Sequence, residues 1–110
     1  MTIPYRKVVI GDGTAREIVF DFDQPFELVG TFLYVEANPF GDTITAALDK
    51  VLAGDSDCEE FSGNVCSLTI RPAVTVIADN LAHEGEGKSC EIGTGELKEL
   101  VLLWQAEHQG

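Results

Sequence analysis

The sequence predicts an α+β fold: a two-layer sandwich in which a mostly antiparallel sheet of about six strands carries two packed helices, in the order βββαβββα. Three observations predict it. Period-two alternation runs through REIVFDFD, CSLTI and AVTVIAD, two other stretches switch to a 3.6-residue period, and the connections between neighbouring segments are of hairpin length. Parallel neighbours would need crossovers of about a dozen residues or more, and each amphipathic helix must bury its stripe against the sheet. With 110 residues, 45% of them hydrophobic, the chain is read as one domain, residues 1–110, with a core of its own.

The first strand follows Tyr5, where the apolar run Val8, Val9, Ile10 ends at Gly11-Asp12-Gly13, a turn signal because glycine and Asp-Gly tolerate positive φ. In the second, Ile18, Phe20 and Phe22 share one face while Glu17, Asp21 and Asp23 fall mainly on the other, so the two propose an opening hairpin. Pro25 cannot donate to a ladder and breaks the pairing. Residues 26–37 then keep one alternation through Phe26, Leu28, Phe32 and Tyr34, with Gly30 as a bend, and are read as a long kinked third strand.

After Asn38-Pro39 the period changes. Ile44, Ala47, Leu48, Val51 and Leu52 stand at i, i+3, i+4, i+7 and i+8, with Asp42 placed to cap the helix and Gly54 to end it. An acidic link follows, and then a strand with Cys66, Leu68 and Ile70 on one face. Arg71-Pro72 breaks the chain before AVTVIAD, the polar HEGEGKS reads as a hairpin loop, and a short strand spans Cys90 to Ile92. Thr94 is placed to cap a last helix whose stripe is Leu97, Leu100, Val101 and Trp104, with Glu96 favourably near the positive end of the helix dipole.

Nineteen Asp and Glu against seven Lys and Arg give a formal charge of −12. Such a surface repels nucleic acid and anionic membranes, so its direct partner is neither; it either keeps the protein soluble or attracts something basic. The opening MTIPYRKVVIGDG has no apolar run long enough for a signal peptide or a membrane span. Three cysteines, Cys58, Cys66 and Cys90, are an odd number that argues against a disulfide framework and suits the cytoplasm.

The densest acidic stretch is Asp55, Asp57, Glu59 and Glu60. Its alternate carboxylates start like a calcium-binding EF-hand loop, but Glu60 stands where the sharp turn needs glycine, and Cys66 where the twelfth position needs glutamate. Zinc fares no better: no CxxC occurs, and His83 and His108 belong to a loop and a frayed helix end, so no metal or other cofactor is expected. Nucleophilic catalysis would have to pair His83 with Cys90 or Cys58, and the carboxylates Asp21 and Asp23 lie on a solvated strand face. No catalytic residue is assigned. A binding surface is: Asp55, Asp57, Glu59 and Glu60, gathered by folding with Asp21, Asp23 and Glu27 or with Glu84, Glu86 and Glu91, would steer a basic partner.

The run VLAGDSDCEEFSGNVCSLTIRPAVTVIADN, followed by CEIGTGELKELVLLWQAE, resembles a pattern of small bacterial immunity proteins of polymorphic toxin systems, including those of contact-dependent growth inhibition. The shared features are a helix ending in Gly54, the acidic link Asp55 to Glu60, the F-S-G-N stretch Phe61 to Asn64, a hairpin, and the E-L-x-x-L-x-x-x-W helix from Glu96 to Trp104. The resemblance covers roughly half the chain and rests on fold-forming residues. It implies a cytosolic protein without catalysis or cofactor that binds one cognate toxin domain, often a nuclease, and blocks its active site or substrate surface. It transfers no contact residues. Phe61 or Tyr34 could anchor such a contact, the plainer reading of both being core packing. A secretion chaperone or adaptor for an exported partner is the second reading, and a small thiol hydrolase using His83 the third.

Overall fold

The computed structural model describes residues 3–11, 13, 16–80 and 89–108. Its fold is α+β with helices packed on antiparallel sheet, as the sequence predicts, and with six strands among the described residues. Strands β1 (Tyr5–Ile10) and β2 (Glu17–Phe22) form a hairpin in which Tyr5 faces Phe22 and Ile10 faces Glu17. Gly11 and Gly13 adopt φ of 86° and 57° at its turn, where a side chain would be strained. A second sheet has the order β3-β4-β5-β6, every pair antiparallel, from β3 (Glu59–Ser62), β4 (Cys66–Ile70), β5 (Val74–Asp79) and β6 (Ser89–Gly93). Helices α1 (Glu27–Phe32), α2 (Asn38–Leu52) and α3 (Thr94–His108) complete the chain. Of the HEGEGKS segment, residues 83–88 lie outside the described residues and Ser89 opens β6.

The expected third strand is the main correction. Residues 27–32 are α-helical and Leu33–Ala37 form a π-helical turn that runs straight into α2. The buried residues are Val29, Phe32, Leu33, Glu36 and Ala37, at i, i+3, i+4, i+7 and i+8: a helical stripe in which one member is charged. Pro39 explains the irregularity that follows, because its nitrogen has no proton to give and its ring collides with the preceding turn; the helix widens before it and kinks at Phe40 (φ −119°, ψ 16°). Asp42 therefore lies inside a helix and caps nothing. With a helix in place of the strand, the expected single sheet is two. Helix α1 covers the second edge of β2, so closely that a Cβ at Gly30 would lie 2.8 Å from the Phe20 carbonyl oxygen.

The helices lie on one face of the four-stranded sheet. Cys66, Leu68, Ile70, Ile77 and Ile92 point from it into a core shared with Phe32, Leu33, Ile44, Leu48, Val51, Leu97, Leu100 and Val101. Trp104 joins the hairpin to the helices: its ring meets Phe20 edge-on at 5.1 Å and stacks on His108 at 4.1 Å. His108 is no frayed end. Its two ring nitrogens lie 2.8 Å from the Trp104 and Ile18 carbonyl oxygens, fastening the last turn of α3 to β2. Thr94 starts α3 as expected, yet its hydroxyl does other work. It donates to the Arg71 carbonyl and therefore accepts from Thr75, tying the helix start to the β4–β5 turn and β5.

Glu36 is fully buried. Its carboxylate accepts three backbone N–H groups, from Asn64 (3.0 Å), Val65 (2.7 Å) and Cys66 (2.7 Å), and so supplies the acceptors that the β3–β4 turn cannot find in its own ladder. Gly63 of the F-S-G-N stretch is compact for the same reason, since a Cβ there would fall on the Glu36 carboxylate. That carboxylate cannot swing away without deserting three donors. Glu36→Ala should lower stability by roughly 3–5 kcal/mol, the scale for removing one side of a buried charged contact. Glu36→Gln, which turns one acceptor into a donor aimed at an N–H, should cost roughly 1–3 kcal/mol, and Gly63→Ala a similar amount. Urea unfolding at neutral pH measures all three; a Glu36→Ala variant as stable as the parent would refute the assignment.

Candidate partner-binding surface

The acidic link is held at both ends. At its start, α2 closes with Gly54 at φ 82°, the Gly54 N–H bonding the Val51 carbonyl (3.1 Å) and the Asp55 N–H reaching back to Lys50 (2.9 Å), a Schellman motif that turns the chain sharply outward. At its end, Glu59 and Glu60 already belong to β3, where the sequence suggested only a link. Alternation then separates them. Glu59 is half-buried, its Oε2 2.7 Å from the Ser56 hydroxyl, while Glu60 is exposed on the opposite face. Asp55 and Asp57 are exposed, and among the described residues no ion pair engages them or Glu60.

Asp21 and Asp23 are placed differently. Both project from the hairpin onto the Arg6 guanidinium, Nη2 lying 2.8 Å from Asp21 Oδ2 and 2.9 Å from Asp23 Oδ1. Bonding to Arg6 holds the Asp23 carboxyl below its usual range. All three groups are solvent-exposed, so the cluster adds little stability; its effect is to reduce two negative charges to a net of one. Glu27, exposed at the start of α1, stands between two clefts, sharing one with Asp21 and the other with Asp79.

Cross-strand register places the remaining acidic groups. Glu60 faces Thr69, Thr69 faces Val76 and Val76 faces Glu91, so Glu60 and Glu91 share one row on the sheet face opposite the described helices. Three strand spacings separate them, about 14 Å. Folding thus brings Glu60 and Glu91 onto one face with Asp55 and Asp57 beside its β3 edge, while Asp21 and Asp23 belong to the other sheet. Glu84 and Glu86 lie outside the described residues. Of the two aromatic candidates, Phe61 packs against Phe40 with ring centres 5.6 Å apart, whereas Tyr34 is 40% exposed and donates to Glu17 (3.0 Å).

His83, the imidazole that nucleophilic catalysis would have to pair with a thiol, lies outside the described residues. Cys66 and Cys90 are buried in the core. Burial, aided by the charges of Glu36 and Asp79, pushes the Cys66 thiol up to about 12, and burial likewise raises Cys90. Cys58 is half-buried in the acidic link, and His108 is occupied by two carbonyls. Among the described residues, no three His, Cys, Asp or Glu side chains are grouped to hold a metal ion, and no helix is long and apolar enough to cross a membrane.

Sequence reasoning missed two carboxylates. Glu36 was hidden inside an apparent strand. Glu96 was noted only for the helix dipole, whereas its Oε2 is shut off from solvent without a hydrogen-bond partner.

Known proteins give the surface its context. No protein-family model and no solved structure matches the chain. A curated immunity protein of Bacillus cereus is 40% identical over 105 residues, an alignment spanning 96% of this chain and 87% of that protein. Identity at that level across nearly the whole length of both chains covers the acidic link, both sheets and all three helices, and the chain belongs to the family of that immunity protein.

Proposed function

We propose that the protein protects a bacterial cell by binding a cognate toxin domain in the cytoplasm, one to one, and covering its active site or substrate surface without catalysing any reaction. The observation that carries this reading is the near full-length similarity to an immunity protein. The formal charge of −12 supplies its physical content. A toxin that cleaves nucleic acid must attract phosphate and presents cations where it does so; an acidic protein competes for that same surface and is drawn to it at long range. We therefore assign the target as a basic nuclease domain at the carboxy terminus of a larger toxin, of the polymorphic type that includes contact-dependent growth inhibition. The carboxylates best placed to meet it are Asp55, Asp57 and Glu60, which are exposed and unpaired among the described residues, followed by Glu91 on the same sheet.

Neutralising Asp55, Asp57 and Glu60 together, as Asn, Asn and Gln, should slow association with the cognate toxin domain roughly five- to tenfold at low ionic strength and flatten its salt dependence. Circular dichroism and melting temperature should be unchanged. Asp21→Asn with Asp23→Asn should act more weakly, because Arg6 already offsets part of that charge. Stopped-flow mixing over a salt series measures both, and equal rates for parent and triple variant would move the interface elsewhere.

Thiol chemistry gives an independent check on the burial of the cysteines. In the folded protein Cys58 should react with iodoacetamide well before Cys66 and Cys90. Rapid modification of Cys66 or Cys90 at neutral pH would contradict their burial.

A further inference from the structure

Strand β3 lies at one edge of the four-stranded sheet, and the ladder it forms with β4 decides which of its backbone groups are left open. The Gly63 N–H bonds the Cys66 carbonyl at 2.9 Å, one step beyond the pairing of Ser62 with Ser67. Hydrogen-bonded pairs alternate along an antiparallel ladder, so Glu59 and Phe61 direct their N–H and C=O groups at β4, whereas Glu60 and Ser62 direct theirs away from it. The far side of β4 agrees. The Arg71 N–H donates to the Val74 carbonyl and the Asn80 N–H to the Val65 carbonyl, in the β4–β5 register, which turns Ser67 and Thr69 toward β5 and leaves Cys66, Leu68 and Ile70 for β3. Among the described residues no strand lies beyond β3, and no hydrogen bond engages the outward N–H and C=O of Glu60 and Ser62. Both residues are exposed, on the open sheet face, while Phe61 between them turns to the helix side, half-buried against a half-buried Phe40.

We infer that this edge receives an extended strand of the basic partner, with a cationic side chain opposite Glu60 and the next residue, an apolar one, set against Phe61 and Phe40. Backbone pairing with Glu60 and Ser62 supplies the register, and charge selects the occupant. Glu60 meets no ion pair among the described residues, and Asp55 and Asp57 lie beside the same edge. Strand β1 is also unpaired on one side among the described residues, but it carries Arg6 and Lys7 and offers a cationic strand no attraction. A short edge strand bearing charge is one way in which proteins avoid pairing with their own copies. Both uses follow from the same carboxylate, which repels an acidic copy and draws a basic strand. The role of the edge in neutralisation rests on the proposed function; its preference for a cationic strand does not.

The test has two arms. In the first, the ¹⁵N-labelled full chain is titrated at constant ionic strength with a capped pentapeptide of alternating lysine and valine. The comparisons are the same peptide with glutamate in place of lysine, and the same peptide N-methylated at its lysine amides, which are the groups that would face β3. Saturable shifts should be larger at the amides of Glu60 and Ser62 than at those of Glu59 and Phe61, and both comparison peptides should bind more weakly. Absence of saturation at Glu60 and Ser62, or equal binding of either comparison peptide, would overturn the assignment. In the second arm, hydrogen exchange at the Glu60 and Ser62 amides, fast in the free protein, should slow about tenfold or more in the complex with the cognate toxin domain. Ser62→Pro, which removes an outward N–H and leaves the ladder to β4 intact, should raise the Kd of that complex roughly tenfold, the scale for one backbone hydrogen bond. Where the proline disturbs the strand, exchange in the parent complex decides alone. A complex that forms while both amides stay unprotected would remove the partner's strand from this edge. A parent protein that fails to bind the toxin at all would sink the proposed function and leave the first arm standing.

Discussion

The Glu36 carboxylate is the constraint on which the surface depends. It sits in the π-helical turn between α1 and α2, yet its three hydrogen bonds are to the backbone of the β3–β4 turn. Taking a carboxylate out of water is costly, and only several well-directed donors offset it. Three N–H groups at 2.7–3.0 Å do so, and in return they receive acceptors that a tight turn lacks. The bond set joins two elements with little else in common and fixes how far the end of β3 lies from the helical layer. Because α2 also terminates just ahead of β3, the acidic link is held from both sides: Gly54 sets its departure and the Glu36-bound turn anchors the strand into which it runs.

Much of this frame was legible in the sequence. Ile18, Phe20 and Phe22 announced β2, Leu68 and Ile70 announced β4, and the stripes of α2 and α3 were read residue by residue except at Leu52, which ends α2 and is 42% exposed where the stripe has run past the sheet. The failure at 26–37 has a physical cause. Phe26, Leu28, Phe32 and Tyr34 alternate, and Val29, Phe32, Leu33, Glu36 and Ala37 recur at helical spacing, so two periods fit one stretch. The helical one is completed by a glutamate, which hydropathy counts as outside. A buried carboxylate becomes visible only once its donors are known, and Glu36 meets its donors 28 to 30 residues away. The one local sign was Gly63, a residue without a Cβ beside the strand end, whose meaning needed the partner.

The surface shows the same limit. Formal charge sums to −12 whatever the fold does, but the fold decides which charges a partner meets. Arg6 engages Asp21 and Asp23, Lys7 engages Glu107, Lys98 engages Asp49, and Ser56 holds Glu59. Asp55, Asp57 and Glu60, adjacent in sequence to the tied Glu59, escape because the link turns outward and because β3 alternates. Period-two geometry, which the sequence displayed clearly for β2, here sorts neighbouring carboxylates into one that is satisfied internally and others that are presented.

Two kinds of carboxylate act differently in this fold. Exposed groups such as Asp57 act through water, over a distance of about a Debye length, ~8 Å at physiological ionic strength, so they bias the approach of a cation without holding it. The Glu36 carboxylate is shut off from water and acts only on the three N–H groups it touches, in a medium where an unmet donor is expensive. The first kind bears on the rate of encounter with a charged molecule, and the second on the shape of the surface that is met. Net charge measures the first kind alone; the second is set by which donors the fold brings to one buried side chain.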